Sequence, residues 1–174
     1  ALNTDQIVAL GQRQVQSLTS AQIASMSTAQ VAAIETVDLA AMSTNQIVAF
    51  GPSQISAMST DQIAGLRRAQ VSILTNEQLG ALDTTQIEAI EAFDIVGMTS
   101  RQFNALSTQQ IQSLTSGQIT AMLPIHFGNL SVENLAAFTT DQVKVIPTSG
   151  IGALTSGQTS ALSTGQLDAL TSAQ

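Results

Sequence analysis

The chain has 174 residues, of which 44% are hydrophobic, 10% charged and 3% aromatic, and its formal net charge is −7. Such a chain would be repelled by phosphate backbones and anionic lipid surfaces, which argues against nucleic acid as a partner. The absence of Cys and the single His exclude disulfide frameworks, thiol catalysis and thiolate metal sites, and they argue against an enzyme.

From its third residue the sequence is a repeat of eight residues, which we call the octad. Twenty-one octads cover residues 3–170 without insertion, from NTDQIVAL, GQRQVQSL and TSAQIASM to STGQLDAL. Position one is usually Ser or Thr, position four Gln, position five Ile or Val, position seven Ala, and position eight is always apolar; Thr159 is the one polar residue at position five. Residues 1–174 are therefore predicted to be a single uninterrupted array, cut rather than capped at partial octads. No stretch approaches the ~18 consecutive apolar residues of a membrane span.

The octad period selects the backbone conformation. Positions five and eight have opposite parity, so a strand would point their side chains to opposite faces. A continuous helix turns by ~800° in eight residues, so its apolar stripe would wind around the helix and never become buried. We therefore predict an all-α fold, an α-solenoid of very short helices with one helix and one sharp corner per octad.

Capping chemistry places the helix within the octad. Ser or Thr at position one and Gln at position four form a capping box. Pro52 and Pro124 stand at position two, which this frame makes the first helical residue, where proline is favoured. On a helical wheel, positions eight, one and five form the buried stripe, position four flanks it, and positions two, three and six face outward. A helix this short is unstable alone, so each octad must pack on its neighbours.

The number of octads in one superhelical coil is left open by the sequence. Comparison of alternate octads, or of every third octad, does not divide the octads into two classes. With ~8–10 Å between packed helices, two octads per coil predict a rod of about 100 Å, and three octads per coil predict a rod of about 70 Å. A 56-residue echo links Ile34, Ile90 and Ile146, and links Asp38 with Asp94. Seven octads are divisible by neither two nor three, which favours duplication over coil geometry as the origin of the echo.

Gln occupies position four in 16 of the 21 octads. Because helix ends must satisfy their free amides, we interpret this column as caps that also hydrogen-bond the adjoining turn, in preference to a polar ladder for a repetitive ligand. The exceptions, in chain order, are Asp38, Asp94, His126, Asn134 and Gly150.

The remaining polar features receive structural interpretations, and no catalytic, cofactor-binding or metal site is predicted. Glu35 with Asp38, and Glu91 with Asp94, put negative charge at helix N-termini, where it is favourable, and they lack the surroundings of a glycosidase or calcium site. His126 has no second His, Cys or carboxylate cluster beside it, so it is interpreted as a tolerated polar substitution and not as a metal ligand or pH switch. The basic residues form no stripe and are predicted to be solvated: Arg13, Arg67, Arg68, Arg101 and Lys144.

The T-x-x-Q-I-x-A-L array resembles, along essentially the whole chain, repeat regions of very large bacterial secreted or cell-surface proteins. The resemblance implies a structural or adhesin-type segment outside the cell and supplies no ligand-binding residues. The irregular octads LPIHFGNL and PTSGIGAL favour a natural source over an idealised design.

The predicted function is a non-enzymatic structural or interaction repeat module, a rod-like spacer or scaffold segment of a larger exported bacterial protein. Its expected partners are neighbouring segments of the same array, together with an unidentified protein or surface, and both ends are expected to fray or to associate. The alternative is a binding module that presents a regular Ser/Thr/Gln face to ice, glycan or another surface.

Overall fold

The computed structural model describes residues 2–174, which form 21 short helices and no strand. In chain order they are α1 Thr4–Val8, α2 Gln12–Gln16, α3 Ser20–Ala24, α4 Thr28–Ala32, α5 Thr36–Ala41, α6 Thr44–Val48, α7 Pro52–Ser56, α8 Thr60–Ala64, α9 Arg68–Val71, α10 Asn76–Gly80, α11 Thr84–Ala89, α12 Ala92–Ile95, α13 Ser100–Ala105, α14 Thr108–Ser113, α15 Ser116–Ala121, α16 Pro124–Gly128, α17 Val132–Ala136, α18 Thr140–Lys144, α19 Thr148–Ile151, α20 Ser156–Ser160 and α21 Thr164–Ala169. Every helix begins at position two of its octad. The predicted solenoid of one short helix per octad is confirmed.

Position one is the N-cap throughout, as the capping box predicts. At α8, the amide of Gln62 donates to the Ser59 hydroxyl at 3.1 Å, and the Ser59 amide donates to Gln62 Oε1 at 2.8 Å. Pro52 and Pro124 are the first residues of α7 and α16. The amide hydrogen of a first helical residue has no acceptor within the helix. Proline, which lacks this hydrogen, therefore removes no helical hydrogen bond at that position.

The corners between helices need no unusual backbone. Between α5 and α6, Met42 (φ −65°, ψ 147°) and Ser43 (φ −71°, ψ 160°) are both extended. No residue within 2–174 has a positive φ. Because extended conformations are open to every L-residue, the corner does not require glycine and is free to carry an apolar side chain followed by a capping hydroxyl.

One coil of the solenoid contains between three and four octads. Each helix packs mainly against the helix three octads away, as α8 does against α5 and α11. Hydrogen bonds between coils join residues 25 to 31 apart: Gln16 Nε2 donates to the Ala41 carbonyl at 3.0 Å, and Gln78 Nε2 donates to the carbonyls of Ile47 at 2.9 Å and Phe50 at 2.8 Å. Two octads per coil are thereby excluded. The array makes about six coils and a rod of roughly 50 to 60 Å, shorter than either predicted length.

Coil geometry also accounts for the 56-residue echo. The glutamine bonds repeatedly span 28 residues, so residues 56 apart lie two coils apart on nearly the same side of the solenoid. Asp38, Asp94 and Gly150 share this spacing and all lack the position-four Gln. Because a coil contains between three and four octads, seven octads make about two coils, and the indivisibility of seven by two and by three does not favour duplication.

Positions five and eight build one continuous core. Position five is buried from Ile7 to Val143, and position eight from Ile34 to Ile146. Each large apolar side chain buried there stabilises the fold by about 1.5 to 3 kcal/mol. Position four is buried as well once a preceding coil covers it, from Gln46 onward in the regular octads. Within residues 2–174, every helix is too short to cross a membrane.

Position one departs from the helical wheel, which placed it at the centre of the buried stripe. Ser59, Thr99 and Thr139 are exposed, as are most residues at this position. The helical wheel describes only residues with helical φ and ψ. The N-cap residue has an extended backbone instead, so its side chain points outward at the corner.

Candidate functional site

The glutamine column is the most regular polar feature of the molecule, and each buried Gln joins two coils. Gln110 Oε1 accepts a hydrogen bond from the Ser107 amide at 2.8 Å, and Gln110 Nε2 donates to the carbonyls of Leu79 at 2.9 Å and Leu82 at 2.8 Å. Other glutamines donate from Nε2 in the same way, each to the carbonyls at positions five and eight of the octad that lies four octads earlier: Gln46, Gln54, Gln62, Gln70, Gln78, Gln102, Gln118, Gln142, Gln158 and Gln174. The interpretation of the column as caps that also bond the adjoining turn is confirmed.

A planar side-chain amide of this length supplies both an acceptor for its own N-cap and a donor for the preceding coil. Asn134 shows the consequence of a shorter side chain. Its Nδ2 donates to the Phe103 carbonyl at 2.9 Å and reaches the Leu106 carbonyl at 3.4 Å. The Ser131 amide donates instead to Asn104 Oδ1 at 2.7 Å, so Asn134 keeps the bond between coils and loses only the return bond of the capping box, while the Ser131 hydroxyl still caps α17.

His126 reproduces the glutamine geometry with an imidazole. Its Nδ1 accepts the Leu123 amide at 3.0 Å, as Gln Oε1 does elsewhere, and its ring packs against Phe103 with 4.9 Å between centroids. The ring also hydrogen-bonds the carbonyl of Met98, 28 residues earlier. Burial lowers the pKa of His126, and the Met98 bond partly opposes that shift. The interpretation as a polar substitution is thereby given a structural reason, since the neutral ring has an acceptor and a donor where the amide has them.

Protonation of His126 is expected to destabilise the fold, because a proton on Nδ1 removes the acceptor of the Leu123 amide. The pKa of an unfolded His is about 6.5, and the folded-state pKa of His126 is lower. Its contribution to stability is therefore complete above about pH 6.5 and declines as the pH falls towards the folded-state pKa. We expect the wild-type melting temperature to decrease from pH 7.5 to pH 5.5, measured by circular dichroism. In His126→Gln, which restores the usual amide, most of this decrease should disappear; an unchanged decrease would contradict the assignment.

The two buried aspartates of the column cannot act as glutamines. Asp38 and Asp94 are 3% and 8% exposed, and an ionised carboxylate has no hydrogen to donate to the carbonyls of the preceding coil. Burial, and next the charge of Glu91, raise the pKa of Asp94, whereas Arg68 lowers it. Glu35 and Glu91 occupy the N-cap positions of α5 and α12 and make no side-chain cap bond. Negative charge is favourable at a helix N-terminus, and that these carboxylates stabilise their helices in this way stays a prediction.

Arg68 takes over a contact between coils near Asp94. Its Nε and Nη2 donate to the Phe93 carbonyl at 3.1 and 2.8 Å, and its guanidinium carbon lies 3.8 Å from the centroid of the Phe93 ring. Arg68 is half-buried, and it forms this contact between coils in addition to the solvent exposure that the sequence predicted. This pair was not predictable from the repeat, because the two residues are 25 apart and 25 is not a whole number of octads.

Gly150 replaces Gln for a steric reason. A Cβ at this residue would lie 2.6 Å from Cδ2 of Phe127 and 3.0 Å from Cγ2 of Ile146. Phe127 is one of only two phenylalanines at position five, where most octads carry Ile, Val or Leu, so its ring fills the space that a position-four side chain would use. The N-cap here is Pro147, and no side chain caps α19.

The remaining charged groups within residues 2–174 do not converge. No three His, Asp or Glu side chains of this part of the chain lie close enough together to hold a metal ion. The one ion pair described there joins Lys144 Nζ to Asp141 Oδ1 at 2.8 Å, and both side chains are exposed, so water screens it and it adds little to stability.

The comparison with known families supports the prediction of a repeat region. Residues 31–68 and 87–123 match the family model of the ALTTAQ repeat. The two matched stretches begin 56 residues apart, the interval that separates similar octads two coils apart. No curated protein matches the chain. The bacterial secreted or cell-surface context stays a prediction.

Proposed function

We propose that the chain is a non-enzymatic structural repeat module, a spacer or scaffold segment of a larger exported bacterial protein. The observation that carries this proposal is the burial of the glutamine column. Gln118 is 1% exposed, and its amide nitrogen lies 2.7 Å from each of the carbonyl oxygens of Ile87 and Ile90. A polar ladder that is used between coils is not free to bind a repetitive ligand, so its regularity serves the array itself.

Because of these bonds, the length of the solenoid increases in proportion to the number of octads. From octad six onward most regular octads contact the preceding coil through the same amide and the same two carbonyls, as in Gln70 and, five octads later, Gln110, whereas Gln86 and Gln166 use the carbonyls at positions six and eight. Stability in such arrays is approximately a sum of repeat and nearest-neighbour terms, so octads extend the solenoid without a new core. This property suits a spacer.

A tandem chain tests the spacer function. Two copies joined through an inserted Ile-Ala pair restore a complete octad, because residues 171–174 occupy positions one to four and residues 1–2 positions seven and eight. Small-angle scattering should give a maximum dimension of roughly 100 to 120 Å for the tandem, against roughly 50 to 60 Å for the single chain. A tandem whose radius of gyration increases by only about 30%, as for a compact domain of twice the length, would refute a spacer.

Export is the part of the proposal that rests on the resemblance to bacterial surface proteins and on the acidic, cysteine-free composition. Antibodies against the array should label intact cells of the source organism as strongly as permeabilised cells. Labelling that requires permeabilisation would place the segment inside the cell.

Binding through a regular Ser/Thr face is the second candidate, and the coil geometry argues against its flat form. With between three and four octads per coil, successive octads are rotated by roughly 90 to 120° about the solenoid axis. The position-two hydroxyls therefore point to all sides, and Pro52, Arg68 and Ala92 interrupt their row. We expect no thermal hysteresis and no signal on glycan arrays; either signal would favour the binding module.

A further inference from the structure

Octads five and twelve carry a pair of carboxylates that no other octad has. Glu at position one and Asp at position four occur together in these two octads and nowhere else in the array: Glu35 with Asp38, and Glu91 with Asp94. The side chains at these two positions meet in a regular octad, where Ser43 Oγ lies 3.2 Å from Gln46 Oε1. The two substitutions therefore bring two negative charges together at the start of α5, and again at the start of α12.

Asp38 is a buried carboxylate without a partner. It is 3% exposed, and within residues 2–174 its carboxylate makes neither a hydrogen bond nor an ion pair. Its oxygens keep a narrow opening to solvent, because no side-chain oxygen in this part of the chain is both sealed and without a hydrogen-bond partner. The helix that carries it, α5, packs between α2 and α8, which are both inside the array. An ionised carboxylate is costly to bury unless a positive charge accompanies it.

Main-chain carbonyls of the preceding coil face the same point. In a regular octad the position-four side chain contacts the carbonyls at positions five and eight of the octad four octads earlier, as Gln62 Nε2 does at 3.0 and 2.7 Å. For Asp38 these are the carbonyls of Ile7 and Leu10, and that of Leu10 receives no donor within residues 2–174. Both lie at the C-terminal end of α1, where the helix dipole favours a cation. Because Asp is one methylene shorter than Gln, a cation has room where the amide nitrogen lies in other octads.

Octad twelve has a positive charge at the equivalent place. Burial, and next the charge of Glu91, raise the pKa of Asp94, and the guanidinium of Arg68 opposes both effects. Arg68 precedes Asp94 by 26 residues, and the residue that precedes the other aspartate by 26 is Gln12. The neutral Gln12 supplies no charge. Octad five therefore has the two carboxylates of octad twelve without the Arg that accompanies them there.

We propose that octad five binds a calcium ion between Asp38 and the preceding coil. The ligands are oxygen atoms, two groups being carboxylates and two main-chain carbonyls: Asp38, Glu35, Ile7 and Leu10. Ca²⁺ takes about six to eight oxygen ligands in a flexible shell that admits carbonyls and water, whereas Mg²⁺ demands a stricter octahedron. Two carboxylates balance the charge of a divalent ion. The sequence argued against calcium because its carboxylates are sparse, and the carbonyls come from a coil that only the fold brings near. The spacer function does not require this ion.

Calcium titration of the wild type and two variants tests the site. Isothermal titration calorimetry at about pH 7.5 should show one ion per wild-type chain, with a Kd on the order of 10⁻⁴ to 10⁻³ M. About 10 mM calcium should raise the melting temperature by about 3 °C or more. Asp38→Gln restores the regular amide, so it should fold well and bind calcium at least ~10 times more weakly. Gln12→Arg gives octad five the guanidinium that octad twelve has, and it should lose binding to the same extent.

The reverse change and two controls complete the test. Arg68→Gln removes the positive charge beside octad twelve and should create a second calcium site. Asp61→Asn removes an exposed carboxylate, and Thr60→Arg adds a guanidinium at position two of an octad that faces the regular Gln86; both should bind calcium like the wild type. Circular dichroism checks that every variant is folded.

Three results would overturn the proposal: no calcium binding by the wild type, binding that survives in Asp38→Gln, or an equal rise in melting temperature with sodium chloride of the same ionic strength. A protonated Asp38, which would itself donate to a carbonyl of the preceding coil, predicts the first of these results.

Discussion

Replacing Ile63 with Asp is expected to lower the free energy of unfolding by about 4 kcal/mol or more, because it buries an unpaired carboxylate in the core. Ile63 is 1% exposed on α8. Leu66, 3% exposed at the following corner, should give a similar loss when replaced with Asp. The melting transition should also broaden, since an array damaged in the middle unfolds locally before it unfolds as a whole. Circular dichroism melts and urea titrations measure both effects.

The control for this prediction lies in the same octad. Asp61 is exposed at position three of α8, and Asp61→Ala should change the stability by less than about 0.5 kcal/mol. Similar losses in all three variants would mean that positions five and eight are not the buried face.

Replacing Gln78 with Glu should cost about 3 kcal/mol or more at neutral pH. The change preserves the cap, because a carboxylate oxygen still accepts the Thr75 amide, which lies 2.9 Å from Gln78 Oε1. It removes the donor to the carbonyls of Ile47 and Phe50 and brings a negative charge, buried to 2% exposure, against both oxygens. Chemical denaturation at pH 7 measures the loss. Burial against the two carbonyl oxygens raises the folded-state pKa of the new carboxyl, and its protonated form again has a donor, so part of the stability should return as the pH is lowered.

The same substitution at the edge of the array separates capping from the bond between coils. Gln14 caps its own helix with 2.8 Å between the Gly11 amide nitrogen and Gln14 Oε1, and its Nε2 contacts no acceptor within residues 2–174. Gln14→Glu should therefore be nearly neutral, within about 0.5 kcal/mol, in monomeric protein. If Gln14→Glu and Gln78→Glu cost the same, the column acts only as helix caps and the bonds between coils contribute nothing to stability.

Much of the candidate site follows from the sequence because capping is local. The hydroxyl or amide of position one and the Gln of position four lie three residues apart, so short-range stereochemistry fixes their bonds, as in Ser107 and Gln110. The second function of the same amide was predicted only in outline, as a bond to the adjoining turn. The carbonyls to which this amide donates depend on how the preceding coil packs against it. The contact of Arg68 with Phe93 and the exclusion of a side chain at Gly150 by Phe127 depend on the same packing.

The sequence alone determined that each octad is one short helix, where that helix begins, and which positions are apolar, because these depend on the angular period of the helix and on capping within a few residues. Only the tertiary structure decided that a coil takes between three and four octads and that residues 25 to 31 apart meet. The physical reason is that the φ and ψ angles of the corner residues together set the rotation from one octad to the next about the solenoid axis. These residues have ordinary extended conformations, and a change of a few degrees at each of them changes the number of octads per coil. No single residue type encodes that rotation, so it is read from the packed coils.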